Sequence, residues 1–403
     1  VSAPLDVLIA GAGPAGAAAA LRLARAGFRV AAVDRARFPR EKICSEYMSP
    51  EGVRHLAALG VLDTVERAGG HPIQGTMVEA PRGSRLTGLF ALAGTAPFRV
   101  AGLSVTRRIL DHALVEAARG AGATVMEGTT VQGVLLENGA VVGLAVRSDD
   151  GAGRELRARL TIGADGLHSL VARAIGGRRF GSLRRYAFVA HVEGVPGLSD
   201  TAEMHVAADG YVGINPLGGG LANVALVVPR ERAALARGRP ETFFLEQLEQ
   251  FPGVRGRVRA GSIVRAVLVT GPFAAWSRRV VTAGALLTGD AADFFDPFTG
   301  EGICAALRGS ELLESTVQTA LARPGPLSAA SLAPYARARR RAFFGKWMVE
   351  RAIGYAMLAP AMFDRAVGRL ERRGLAHTLI GVTGDFVPPR AVLNPVFLSQ
   401  VVF

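Results

Sequence analysis

The chain has 403 residues, 49% of them hydrophobic and 20% charged, with only two cysteines and a formal charge of +13. That length and apolar content support two to three packed domains and exclude a disordered chain. Two cysteines exclude both a disulfide framework and a four-cysteine cluster, and they fit a reducing cytoplasm. The positive charge is almost all arginine, Lys42 and Lys346 being the only lysines. It is scattered apart from Arg337 and Arg339–Arg341, and no nucleic-acid reader motif accompanies it, so no nucleic-acid partner is expected. No stretch reaches the roughly 20 uninterrupted apolar residues of a membrane span.

Leu5 to Ala10 reads as a buried parallel strand, Pro14 to Ala26 as an Ala/Leu-rich helix stopped at Gly27, and Arg29 to Asp34 as a second strand. Short connections make this a βαβ unit of a doubly wound sheet. Between strand and helix stands Gly11-Ala12-Gly13-Pro14-Ala15-Gly16. Gly11 permits the tight turn, Gly13 lets backbone approach a pyrophosphate, and Gly16 lets helix pack on strand. The helix N-terminus faces the anion. Asp34, ending the next strand, is placed to take a ribose hydroxyl. This unit binds a dinucleotide and does not distinguish NAD from FAD.

Ala36 to Ser49 reads as a polar loop carrying Cys44. Pro50 to Leu59 reads as a helix capped by Ser49, and Gln74 to Arg99 as strands of a separate layer. Arg107 to Gly120 is an amphipathic helix. Thr124 to Glu127 is a strand, and Val131–Leu136 with Val141–Arg147 flank the hairpin signal Asn138-Gly139. Leu160 to Gly163 is a strand running into Asp165-Gly166. From Arg185 to Val269 alternating runs predict a mostly antiparallel sheet interrupted by a helix at Pro240–Gln250. Val280 to Leu287 reads as a buried strand, followed by helices over Gly300–Ala322 and Ala333–Leu358.

Two further glycine-acid turns close apolar strands: Gly163-Ala164-Asp165-Gly166 and Gly289-Asp290-Ala291-Ala292. The second continues through Asp296-Pro297-Phe298-Thr299-Gly300-Glu301-Gly302-Ile303. A strand-end carboxylate such as Asp290 can accept hydrogen bonds from a polyol. The following glycine-flanked helix start can stabilise an anionic ring. In this order the three turns resemble the fingerprint of the FAD-dependent superfamily that contains aromatic hydroxylases of the p-hydroxybenzoate hydroxylase kind, flavin halogenases and geranylgeranyl reductases. The segments Lys42-Ile43-Cys44-Ser45, Met48-Ser49-Pro50 and Asp296 to Ile303 are most similar to the geranylgeranyl reductase branch.

The resemblance implies an α/β, Rossmann-like FAD-binding domain of the GR2 type, with an inserted, mostly antiparallel substrate sheet and a helical C-terminal segment. The expected division is 1–72, 97–179 and 280–340 for FAD, 73–96 and 180–279 for substrate, and 341–403 for a cap. It implies FAD contacts from Gly11, Gly13, Pro14, Ala15, Gly16, Asp34, Arg35, Lys42, Cys44, Arg107, Asp165, Gly289, Asp290, Pro297, Gly300, Gly302 and Ile303. NAD(P)H would be a transient reductant, since no second glycine fingerprint exists. The substrate sheet carries Tyr211-Val212-Gly213-Ile214-Asn215-Pro216, where the reductases have an aromatic residue and Phe in place of Gly213 and Asn215. Tyr211, Asn215 and His191 are the candidate substrate contacts.

Cys44, Asp296 and Glu301 are the candidate catalytic groups. Cys44 reads either as a reactive thiol beside Lys42 or as a buried packing residue. The histidines show no ligand spacing, so no metal is expected. The tail, with Phe343, Phe344, Trp347, Met348 and Met362 among arginines, reads either as a helix packed on the core or as a peripheral membrane patch on a cytoplasmic protein. Three activities follow. The first is hydroxylation of a hydrophobic phenolic, polyketide or quinone-like substrate by molecular oxygen through a flavin hydroperoxide, which the altered sheet motif favours. The second is reduction of isoprenoid double bonds, and the third is partner-dependent electron carriage.

Overall fold

In the computed structural model, which describes residues 5–402, the first strand is Leu5–Ala10 and is buried on both faces. Val7 and Ile9 pack on one side against the helices Pro14–Arg25, Arg107–Gly120 and Gly302–Leu321. Leu8 and Ala10 pack on the other, against the hairpin of Thr129–Glu137 and Ala140–Ser148 and the short helix Leu170–Gly176. This double burial explains a continuous apolar run where an open sheet would show alternation. The strand pairs in parallel with Val30–Val33 and with Gly153–Gly163; Thr124–Met126 and Ala285–Leu287 extend the parallel core on its two sides. The expected single strand Val280–Leu287 is instead a tight hairpin, Val281–Thr282 with Ala285–Leu287. It turns at Gly284, whose φ is +71° and whose added Cβ would sit 2.0 Å from the Val141 carbonyl oxygen. Only glycine fits there.

The second layer is a seven-stranded sheet in the order 263–270, 185–193, 221–229, 210–218, 201–207, 75–79, 85–89. All its pairs are antiparallel except that of 201–207 with 75–79. One face carries Phe188, Val192, Val212, Ile214, Val224 and Leu226 against the helix Pro240–Leu248. The other face looks toward the parallel-sheet layer. A three-stranded patch of 47–48, 71–73 and 102–104, and a second of 178–180, 275–277 and 293–294, stitch the two layers together.

The helix Ala329–Ala356 is capped by Ser328 and runs without a break from the first layer into the tail. The helices Pro360–Arg372 and Ala376–Thr383 lie over the strand Arg85–Leu89. There Asp364 accepts from the backbone of Arg82 and Ser84, and Gly88 leaves room for Ile380. The tail therefore packs on the same face of the seven-stranded sheet as Ala187, Val189, Tyr211 and Val227, opposite the face covered by the helix Pro240–Leu248. Among the described residues no helix is long and apolar enough to cross a membrane.

Candidate active site

The dinucleotide turn is built as its glycines require. Gly11 has φ +91°, and a Cβ there would lie 2.5 Å from the Ala164 carbonyl oxygen. A Cβ on Gly16 would lie 1.8 Å from the Gly11 carbonyl oxygen. Gly13 faces Arg40 and Arg107, with 3.2 Å between its virtual Cβ and the Arg40 guanidinium. Asp34 accepts the Ala12 N–H at 2.8 Å and the Ala36 N–H at 2.9 Å, so it braces the turn and keeps lone pairs for a hydroxyl. The helix Pro14–Arg25 has no side-chain cap, which leaves its first N–H groups free for an anion.

A cationic wall stands beside that helix end. Arg107 is a bidentate partner of the fully buried Asp111, at 2.7 and 2.8 Å, and Arg40 reaches the same carboxylate at 3.1 Å. Lys42 joins them; desolvation and the charges of Arg40, Arg107 and Arg35 lower its pKa, while Asp290 opposes them. The turn at Gly289 brings a second helix start to the same cleft. Gly289 has φ +58° and its added Cβ would meet that of Ala15 at 2.8 Å and that of Ala306 at 3.9 Å. The helix Gly302–Leu321 also lacks a side-chain cap.

Asp290 differs from the other acids here in accepting no hydrogen bond from any described residue through its carboxylate. Burial raises its pKa to about 6, against the pull of Lys42, Arg107 and Arg178. An unspent carboxylate, two uncapped helix starts and a cationic wall form a cleft that fits a pyrophosphate and a polyol, as FAD requires. A hydroxyl donating to Asp290 favours its ionised form, so flavin affinity should rise as pH increases through about 6. Asp290→Asn should flatten that dependence; fluorescence titration of FAD into apoprotein at several pH values checks this.

Asp165 stands elsewhere in the arrangement. Its carboxylate takes Ser169 Oγ and the N–H groups of Leu170 at 2.7 Å and Val171 at 3.3 Å, and so caps the helix Leu170–Gly176. Any flavin contact from this turn would have to come from its backbone.

The loop Lys42–Ser49 and the turn Asp296–Gly302 meet below the sheet. An added Cβ on Gly300 (φ +72°) would lie 2.6 Å from the Tyr47 ring, and Ser49 Oγ donates to Glu301 Oε2 at 3.1 Å. The sheet is pinned to both segments. At one end Glu46, fully buried with φ +59°, accepts from the Arg107 N–H at 2.9 Å and Asn223 at 2.9 Å, and lies 2.6 Å from His191 Nε2. Asn223 also donates to the Cys44 carbonyl, and Asn215 to the Ser45 carbonyl and Ser104 Oγ. At the other end Asp296 takes the Tyr211 hydroxyl at 2.6 Å and Arg185 at 2.8 Å.

The strand register explains this polarity. Arg265, His191, Asn223 and Asn215 are successive cross-strand partners, so they form one polar row on one face. Two residues further on lie Val189, Ala225, Gly213 and Met204, and beyond them Ala187, Val227, Tyr211 and Val206. Met204, Gly213 and Ala225 are only half-buried although they sit mid-strand among fully buried neighbours. They form an apolar floor, open between the two pins. The three candidate substrate contacts, His191, Asn215 and Tyr211, are 6% or less exposed and bonded to the loops, with Asn215 Oδ1 left without a partner among the described residues. Glu46 lies in no motif, and of the floor residues only Gly213 does; the polar row itself emerges from the strand register.

Cys44 and Cys304 are both free thiols. Burial raises the pKa of Cys44, with Arg107 pulling the other way, and it raises that of Cys304 further. Burial thus works against the thiolate form at both positions, and at Cys44 the Arg107 charge works for it.

Comparison with known proteins agrees with this geometry. Residues 4–343 match the FAD-binding domain family. The digeranylgeranylglycerophospholipid reductase of Methanospirillum hungatei is 30% identical over 347 residues, covering 85% of this chain and 82% of that protein. The menaquinone reductase of Mycolicibacterium smegmatis is 30% identical over 323 residues, covering 76% of this chain and 75% of that one. Among solved structures, PqsL of Pseudomonas aeruginosa, described as a probable FAD-dependent monooxygenase, has a TM-score of 0.72 at 24% identity. It covers 90% of this chain and 98% of that one, and shares the fold.

Proposed function

Because this chain belongs to the FAD-binding domain family and is an FAD-dependent oxidoreductase, we propose that it reduces carbon–carbon double bonds in an elongated isoprenoid lipid. The observation that carries this is the floor of Val189, Met204, Gly213 and Ala225. It is wholly apolar, and the carboxylates pinned at its two ends, Glu46 and Asp296, are bonded within the protein; in the polar row the buried atoms without a hydrogen-bond partner among the described residues are Asn215 Oδ1, Asn223 Oδ1 and those of the Arg265 guanidinium. The floor itself carries no polar side chain to orient a phenol along its length, and it suits a hydrocarbon chain whose one polar end lies at the Asn215–Asn223–Arg265 row. The names of the two reductase relatives point the same way. Asn215 and Gly213, which depart from the reductase pattern, do not argue otherwise: the first is turned into the loop contact and the second deepens the floor.

FAD, when bound, supplies the hydride, with NAD(P)H as its source of electrons. The chain's own residues hold the alkene and furnish the proton. Cys44, whose pKa burial raises, is the candidate acid, and the Asn223 bond to its carbonyl fixes its loop. Cys44→Ser should keep flavin bound and lower turnover by roughly a hundredfold, the lower range for loss of a general acid. The decisive measurement is anaerobic turnover of a geranylgeranyl lipid with reduced flavin. Saturated product without oxygen supports the reading; no product until oxygen is admitted overturns it in favour of hydroxylation.

A further inference from the structure

We propose that Glu301, Lys346 and Glu350, with water held between them, form a proton relay joining the C-terminal helix to the flavin site. The helix Ala329–Ala356 sets Arg339, Phe343, Lys346, Trp347 and Glu350 at helical spacing along the face that packs on the turn 289–302. Between them lies a cavity of about 40 Å³, larger than the roughly 10–15 Å³ one water needs.

Three buried polar atoms around it have no protein partner: Lys346 Nζ, Glu301 Oε1 and Arg339 Nε. The side chains of Lys346 and Glu301 are 4% and 1% exposed, and Nζ stands 3.8 Å from Glu301 Oε2. That is too far for a hydrogen bond and suits a bridging water. The charges select this occupant. Asp290, Asp296, Glu301 and Glu350 repel an anion, while Lys346 and Arg339 repel a metal ion. No cluster with metal-ligand geometry exists among the described residues. A molecule that both donates and accepts is the one that satisfies all three orphans.

The groups around the path are suited to passing a proton. Burial raises Glu301 to about 7, opposed by Lys346 and aided by Asp385, and burial raises Glu350 to about 7 against Lys346. Lys346 itself is held charged by Asp385, Glu301 and Glu350. Facing Glu301 are Ser49 and Tyr47 from the flavin-side loop, Cys304 from its own helix, and Asp385, which is paired with Arg308. Facing Glu350 are Asp293, itself paired with Arg339, and Arg351. Glu301 Oε2 accepts from Ser49 of the flavin-side loop at 3.1 Å and stands 3.8 Å from Lys346 Nζ, while Oε1 is unpartnered and the residue lines the cavity, so its carboxyl links the loop to the cavity. A proton released by Glu301 toward the flavin site is replaced through the cavity water from Glu350; no electrons move, and Lys346 orients the water without losing its charge. The relay rests on the binding of FAD and serves reduction and hydroxylation alike.

The test uses FAD-loaded protein and the variants Glu301→Gln, Glu350→Gln, Lys346→Met and Lys346→Arg. Stopped-flow reduction by dithionite with a pH-indicator dye reads proton uptake, and potentiometry reads the midpoint potential against pH. Glu301→Gln should flatten the pH profile of uptake between about 6 and 8 and slow uptake at least about tenfold. Glu350→Gln should slow uptake while leaving the midpoint potential in place. Lys346→Met should move the break in the profile to higher pH, and Lys346→Arg should restore it. Wild-type uptake rates and profiles in both glutamine variants, with only a lower melting temperature, would overturn the relay. Those two substitutions are nearly isosteric, so they decide the matter even where Lys346→Met fails to fold. A wild-type protein that takes up no flavin would instead defeat the cofactor assignment itself.

Discussion

Gly16→Val is expected to purify without visible flavin absorbance and to bind added FAD more than about a hundredfold more weakly, or not at all. The first atom of any side chain at this position would lie 1.8 Å from the Gly11 carbonyl oxygen and 3.3 Å from Ala164 Cβ. Both belong to strand ends held in the parallel sheet, so the helix Pro14–Arg25 must move instead. Moving it takes the free N–H groups away from the anion they would hold. Gly13→Ala is the graded control. Its Cβ would meet the end of the Arg40 side chain at 3.2 Å, which can swing aside, so about a tenfold loss is expected. Equilibrium titration with FAD measures both, and far-UV circular dichroism shows whether the apoprotein keeps its fold.

Glu46→Ala should destabilise the protein by about 3–5 kcal/mol, the range for stripping one partner from a buried charged network. The carboxylate is fully buried, and its removal orphans His191, Asn223 and the Arg107 N–H together. Burial alone would push its pKa up, but the bonds from His191, Arg107 and Asn223 outweigh it and hold the carboxyl below its ordinary 4.5. The sign follows from that depression. The contribution is fully present above about 4.5 and is lost as pH falls through the lower native value. Denaturant unfolding at pH 7 should therefore separate wild type from variant widely, and the gap should shrink as the pH is taken well below 4.5. A constant gap across that range would assign the effect to packing.

Legibility in the sequence divided along contact distance. The glycine turn, Asp34 and the Gly289-Asp290 turn were readable because each works through neighbours a few residues away or through a spacing the cofactor imposes. The parallel and antiparallel layers were readable from period and burial. Glu46 was not, since it draws its partners from positions 145 and 177 residues further on. Nothing in Ser45-Glu46-Tyr47 announces them. The polar row across four strands becomes visible only when the register is known. His191, Asn215 and Tyr211 stand out in the sequence as candidate substrate contacts, but residue type and position alone do not say whether they serve a ligand or the protein. Asp165 shows the same ambiguity, its carboxylate being spent on a helix start. Lys346 could not be paired with Glu301 before the long helix was laid on the turn.

The two pins, Glu46 at one end of the floor and Asp296 at the other, have a further consequence for how the molecule comes apart. A sheet fastened at one point can swing or melt by itself; a sheet fastened at two cannot open without breaking buried charged bonds at both. The cofactor layer and the inserted layer should therefore melt as a single cooperative unit, giving one calorimetric transition despite a chain that passes between them several times. Releasing both pins together should split that transition into two, whereas releasing one should lower it as a single transition.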